Sequence, residues 1–210
     1  MDTLSLLADL IARARAAGAD AADAVLVAGT SLAVSVRQGA VEHLERAEGR
    51  DLGLRVFVGR RSANVSSSAV DPTGFAQLAA RAVDMARVVP EDPYGGLCEQ
   101  AAPPEEVDLD LVDLAEPEAA ALIASAGAAE AAARAVSGVT NSEGGEAGYG
   151  RTEILLVTSA GFAGRNVRTS HSLSATALVG SGAGMHSDYD YSAAVHLADL
   201  EDAAALGRSA

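Results

Sequence analysis

The sequence predicts an α+β fold: an extended antiparallel sheet of meander strands with helices packed on one face. Three observations carry this reading. Between residues 22 and 68, short apolar stretches alternate with polar residues at period two, with tight turn residues between them. That is the pattern of hairpin-linked strands and not of βαβ units. Residues 167–179 alternate without interruption, as in a long strand that is wet on one face. Three further stretches, 3–17, 71–88 and 118–135, carry helix signals.

Taken in order, residues 3–17 set Leu4, Leu7, Ile11 and Ala14 on one helical stripe, and Gly18 supplies the stop. Residues 22–28 read as a strand, Gly29-Thr30 as a turn, and residues 31–37 as a second strand. After Gln38-Gly39-Ala40 come a weaker strand at 41–48 and an alternating set at Leu52, Leu54, Val56 and Val58. Gly59-Arg60-Arg61 turns the chain into residues 62–68. Asp71-Pro72 starts a helix, because Asp caps free N–H groups and Pro at the first position has none to lose. Phe75, Leu78, Ala79, Ala82 and Met85 follow at helical spacing, to an end near Val88. Residues 118–135 form an Ala-rich helix whose weak apolar face suits close packing on a flat neighbour. Residues 141–145 read as turn-rich, 152–159 as a strand, 167–179 as the long strand and 189–196 as its continuation. Residues 200–210 begin a last helix.

The stretch 89–117 differs in character. It holds five of the six prolines and nine acids, with no basic residue. It reads as a long surface loop that divides the chain into an α+β part at 1–88 and a second part of the same N-terminal domain at 118–210.

Composition narrows the function. The chain has 210 residues, 49% of them hydrophobic, enough for a folded core. Every basic residue is Arg, and 15 of them face 29 acids, for a net charge of −14. That balance disfavours a phosphate-neutralising nucleic-acid surface and docking on an anionic membrane. Aromatic residues are 3%, with no Trp, so stacking platforms are scarce. One cysteine, Cys98, excludes an internal disulfide and a Cys-based zinc site. The N-terminus lacks the basic region of a signal peptide, and the compartment expected is the cytoplasm.

The candidates for chemistry each have a plain structural reading beside them. His43, His171, His186 and His196 show no His-Glu-x-x-His spacing. His186, Asp188 and Asp190 share one strand face and could offer hard ligands to a divalent metal; the plain reading is a polar turn entering a strand. Cys98 lies among carboxylates, poor surroundings for a thiolate nucleophile. His171 and Ser172 are adjacent on a strand and point to opposite faces, so they form no dyad. His171, on the apolar face, reads as a satisfied core or interface histidine. Gly180-Ser181-Gly182-Ala183-Gly184 resembles part of a dinucleotide loop but lacks a following helix, and reads as a hairpin tip. Glu105-Glu106 and Asp108/Asp110 read as a solvated charge run. The residues alone therefore assign no catalytic, metal or cofactor-binding residue. They describe polar-faced strands able to pair with another chain or an extended peptide.

Several segments, in order, resemble the N-terminal half of the TldD/PmbA family, in its PmbA (TldE) branch. They are residues 31–39 (Ser-Leu-Ala-Val-Ser-Val-Arg-Gln-Gly), 53–59 (Gly-Leu-Arg-Val-Phe-Val-Gly) and 90–97 (Pro-Glu-Asp-Pro-Tyr-Gly-Gly-Leu). Residues 140–144 (Thr-Asn-Ser-Glu-Gly), Gly161-Phe162, 170–174 (Ser-His-Ser-Leu-Ser) and 188–192 (Asp-Tyr-Asp-Tyr-Ser) complete the set. The resemblance implies the N-terminal domain of a subunit of a cytoplasmic metalloprotease that processes unfolded peptides, in a family also described as modulators of DNA gyrase. It implies a heterodimer in which a TldD-like partner carries zinc on a His-Glu-x-x-x-His helix and a downstream Cys. No residue here matches that motif, so no catalytic or metal residue is carried over. It further implies a C-terminal domain beyond residue 210. The competing expectations are a stand-alone peptide- or protein-binding module, and an enzyme built on His186, Asp188 and Asp190 with a metal.

Overall fold

In the computed structural model, residues 2–98 and 108–210 are described. The chain runs α1 (Thr3–Ala16), β1 (Ala21–Arg37), β2 (Ala40–Val58), β3 (Arg61–Ser67) and α2 (Phe75–Val88). It continues with α3 (Ala119–Arg134), β4 (Val139–Thr158), β5 (Ala163–Val179), β6 (His186–Ala194) and α4 (Ala203–Ser209). The same order of elements, helix, three strands, helix, therefore occurs twice. All six strands belong to one sheet in the order β3-β2-β1-β4-β5-β6. Each half of that order is a meander, as the sequence predicts. In the pairs at the two ends, Leu52 lies opposite Ser67 and Val58 opposite Arg61, and His171 lies opposite Ala194 and Val179 opposite His186, all antiparallel.

The strands are longer than the turn signals suggest. β1 runs straight through Gly29-Thr30, β2 joins the two stretches read as separate strands, and β4 absorbs residues 141–145. Gly, Asn and Ser permit turns without requiring them, and ladder pairing with the neighbouring strands outweighs the local preference.

Contact clustering divides the chain into two compact units. The first comprises residues 1–28, 49–108 and 153–167. Its core sets Leu7, Leu10, Ile11 and Ala14 of α1 and Phe75, Ala79, Ala82 and Val83 of α2 against Ala22, Ala24, Leu26, Leu52, Leu54 and Val56 of the strands. Asp2 caps α1 by accepting from the N–H of Ser5 at 2.9 Å, and Asp71 accepts from the N–H of Thr73 at 2.9 Å ahead of α2. Asp23, 8% exposed, lies in this unit with its Oδ2 at 2.8 Å from Nε and 2.5 Å from an Nη of Arg55.

The second unit comprises residues 29–48, 109–152 and 168–210. Leu122, Ala126, Ala129 and Ala133 of α3 cover Leu32, Val34 and Val36 of β1, Ala147 and Tyr149 of β4 and Leu173, Ala175 and Ala177 of β5. The flat neighbour expected for an Ala-rich helix is real on both sides of α3. A Cβ built on Gly145 of β4 would stand 2.1 Å from the carbonyl oxygen of Ala126, and one on Gly207 of α4 would stand 2.0 Å from that of Ala129. No side chain fits in either gap.

One charged group completes this core. Glu130 of α3 is 1% exposed. Its Oε1 accepts from the N–H of Gln38 at 2.6 Å and its Oε2 from that of Gly39 at 3.0 Å. Those two residues form the β1–β2 turn, with φ of 52° and 76°. Positive φ at both central positions is the turn whose twist suits a two-residue hairpin. Both N–H groups point away from the ladder and need an acceptor, and the carboxylate serves both with charge-assisted bonds.

Three outcomes follow from this packing. Gly207→Ala is expected to lower unfolding stability by about 1–3 kcal/mol through backbone displacement. Gly74→Ala, where a Cβ meets open space at ordinary φ, should leave the urea midpoint almost unchanged. Glu130→Gln should cost about 1–3 kcal/mol, because the buried amide offers one acceptor oxygen to the two N–H donors of the turn; the same urea titration measures it.

Candidate functional site

The strand β5 carries the polar residues that the apolar face cannot absorb. Thr169 and His171 face inward beside Leu173, with 0% and 1% exposure. The residues between them, Ser170 and Ser172, are exposed, so the alternation read from the sequence holds and no His171–Ser172 dyad exists.

The segment 109–118 is tied down across this part of the second unit. The N–H of Thr169 donates to the carbonyl of Leu111 at 3.0 Å. The Thr169 hydroxyl accepts from the N–H of Asp113 at 2.8 Å and donates to the carbonyl of Val195 at 3.0 Å. Asp113 in turn accepts from the N–H of Ala115 at 2.8 Å and of Leu197 at 2.7 Å. Farther along, Glu116 meets Arg46 of β2 at 3.0 Å. Composition groups this segment with the acidic loop. Its carboxylates instead act as specific acceptors, and Asp113 is the residue that sequence reasoning missed. The alternation of Leu109, Leu111 and Asp113 was the available signal.

His171 lies under this strap. Its Nε2 is 3.3 Å from Oδ2 of Asp113, but out of line for a hydrogen bond, and neither ring nitrogen has a hydrogen-bond partner among the described residues. Its ring centroid is 5.2 Å from that of Tyr149, tilted by 47°. The expectation of a buried histidine is met; the expectation of a satisfied one is not. Burial pushes the imidazole below its ordinary pKa of 6.5, against the opposing pull of Asp113. The N–H groups of Leu197 and Ala115 hold the Asp113 carboxyl below the usual carboxylate range. His196 behaves oppositely. Its Nε2 lies 3.1 Å from the carbonyl oxygen of Asp110, which raises its pKa. The cluster therefore holds a neutral, enclosed imidazole beside a carboxylate, with the nearby Thr169 hydroxyl committed to backbone partners. This arrangement fastens the strap; it presents no nucleophile.

The other sequence candidates lie apart from it. His186, Asp188 and Asp190 fall on β6, and each carboxylate accepts from the N–H of the next residue, Tyr189 or Tyr191, at 2.9 and 2.8 Å. Among the described residues no group of three or more His, Cys, Asp or Glu side chains is placed to hold a metal ion. Residues 180–184 form the β5–β6 connection, with a single 3-10 turn at Gly182–Gly184 and a strand after it. Cys98 is exposed and free. Glu105 and Glu106 lie outside the described residues. The cavity beside Ser172, Leu173 and Leu197 measures about 170 Å³, below the size of pockets that take small ligands.

A pH titration tests the cluster. The depressed His171 stays neutral when folded but takes up a proton near pH 6.5 when unfolded, so its contribution to stability is present above that pH and declines below it. Asp113 contributes above its unfolded pKa and loses that as pH falls through its lowered folded value. His196 contributes below 6.5 and loses that as pH rises through its raised value. In His171→Phe, unfolding stability should therefore fall less steeply from pH 7 to pH 5 than in the parent chain. Equal slopes would remove His171 as a titrating core group.

Comparison with known proteins follows this architecture. PmbA/TldA metallopeptidase domain 1 matches residues 22–86, and the PmbA/TldA metallopeptidase central domain matches residues 112–210. The chain is 31% identical over 185 residues to the metalloprotease PmbA of Escherichia coli O157:H7, covering 87% of this chain and 41% of that protein. A candidate modulator of DNA gyrase from Bacteroides thetaiotaomicron superposes with a TM-score of 0.89 at 23% identity, over 98% of this chain and 48% of that one. TldE from Thermococcus kodakarensis superposes with a TM-score of 0.80 at 16% identity, over 98% of this chain and 46% of that one. These structures share the six-stranded α+β architecture, and the chain spans less than half the length of each relative. By its two matched domains, in their order along the sequence, the chain belongs to the PmbA/TldD family.

Proposed function

We propose that this chain is the N-terminal part of a PmbA/TldE-like subunit of a TldD/TldE-type metalloprotease that processes unfolded peptides in the cytoplasm. The observation that carries the reading is the ordered match to the first and central domains of a metallopeptidase family. The described residues do not fit a zinc ion, since no ligand group of the required kind is gathered. No step through a metal is therefore assigned to this chain. In the assembly, a TldD-like partner supplies zinc and the hydrolysis, and the C-terminal domain lies beyond residue 210. This subunit contributes a scaffold of long strands whose polar faces and edges align an extended peptide by main-chain hydrogen bonds. No helix of the described residues is long and apolar enough to cross a membrane, and the net charge of −14 disfavours direct contact with nucleic acid.

Co-expression with a TldD-like chain provides the test. A stable heterodimer that cleaves an unstructured peptide, while this chain alone binds no zinc and cleaves nothing, is the expected result. Zinc bound stoichiometrically by this chain alone would sink the division of labour. A chain that binds extended peptides yet recruits no TldD-like subunit would make it a stand-alone binding module instead.

A further inference from the structure

The strand β2 has one partner too few over half its length. In the sheet, β2 lies between β3 and β1. The β3 ladder covers Leu52 to Val58 only. Residues 40–51 therefore have no strand on that side among the described residues, and every one of the twelve is exposed. Both faces are open as well: Val41 is 46% exposed and Leu44 is 49% exposed. A long, accessible edge of this kind is a template for strand addition unless it is blocked. It carries no proline, and its charged side chains, Glu42, Glu45, Arg46 and Glu48, are of both signs, so they block an edge that sets like against like and admit one that sets opposite charges together.

We propose that residues 40–48 pair antiparallel with the same residues of a second copy of this chain, joining two sheets edge to edge around a two-fold axis at Leu44. The argument is one of complementarity. A two-fold that relates two antiparallel strands stands perpendicular to the sheet, so some residue must lie opposite its own copy. Centring the axis on Glu42, Glu45 or Arg46 sets like charge on like charge, which is destabilising. Centring it on His43 sets Val41 against Glu45 and Leu44 against Glu42. Centring it on Leu44 sets Glu42 opposite Arg46, His43 opposite Glu45 and Val41 opposite Ala47, each twice, with Leu44 on Leu44. No like charges meet, and the two exposed apolar side chains of the edge are covered. Centring it on Ala47 also avoids like charges, but it sets Leu44 against Arg50, leaves Val41 unpaired and carries the pairing to Asp51, next to the β3 ladder that starts at Leu52. Arg46 already has its guanidinium among carboxylates, at 2.9 Å from Glu48 and 3.0 Å from Glu116. The proposal concerns this chain alone and does not rest on the peptidase reading.

Sedimentation equilibrium of the 210-residue chain near physiological salt, where the repulsion between two acidic copies is screened beyond about 8 Å, reads the outcome. A dimer is expected at about 100 μM. Leu44→Lys sets two ammonium groups on the axis and should weaken self-association by about tenfold or more while circular dichroism stays unchanged. Glu42→Arg should weaken it similarly, and Glu42→Arg with Arg46→Glu should restore it. In a Cys98→Ser background, Leu44→Cys should give a disulfide-linked dimer on mild oxidation, and Ala47→Cys should not. A monomer at that concentration, a dimer indifferent to Leu44→Lys, or cross-linking through position 47 instead of 44 would overturn the proposal. A parent chain that stays monomeric and pairs this edge only with an added peptide or a TldD-like chain would do the same. Heterodimer formation is scored separately, so failure here leaves the peptidase reading untouched.

Discussion

A single buried carboxylate holds the second unit in register. Glu130 is 1% exposed and spends both oxygens on the two N–H groups of the β1–β2 turn. A charge at that depth is costly unless it is fully bonded. The turn donors meet that demand, and the carboxylate in turn fixes the helix against the hairpin. The constraint runs outward from there. With α3 fixed against the turn, its Ala face lies close on β4 and α4, close enough that Gly145 and Gly207 have no room for a side chain. The hairpin that Glu130 clamps is also the one whose second strand leaves an open edge, so the same interaction presents residues 40–48 to a partner.

The strap at 109–118 solves a different problem. β5 places Thr169 and His171 in a core that is mostly apolar. Thr169 passes its hydrogen bonds to backbone groups of the strap and of the chain after β6. His171 keeps a neutral ring beside Asp113 because burial disfavours its charged form more than one flanking carboxylate favours it. Polar groups in this unit thus hold segments together. The chemistry of peptide hydrolysis, in the proposed assembly, belongs to another chain.

Much of this was legible in the sequence, and for definite reasons. Helical spacing at Leu7, Ile11 and Ala14 and the alternation through Thr169, His171, Leu173, Ala175 and Ala177 report local periodicities that burial enforces, and the Asp71-Pro72 start reports capping chemistry; the alternation breaks at its end, where Leu178 is buried and Val179 exposed. The candidate metal set was separable in part: residues 186, 188 and 190 do share a strand, but their carboxylates turn to neighbouring N–H groups, which spacing does not reveal. The turn at Gly29-Thr30 was misjudged because a permissive residue looks the same in a turn and in a ladder. Glu130 stood in view as the lone acid inside an Ala-rich helix, yet its partner lies 92 positions earlier in the chain.

By itself, the sequence determined the class of fold, the meander order, the presence of the helices, the family and the absence of a His-Glu-x-x-x-His helix. These follow from local period, capping chemistry and ordered motifs, all of which are properties of neighbouring residues. The tertiary structure alone decided which strands fuse into long ones, which acid caps a distant turn, how Asp113 reaches His171 and which stretch of edge is left unpaired. Those depend on residues brought together from opposite ends of the chain, where burial and hydrogen-bond demand, not local preference, select the arrangement.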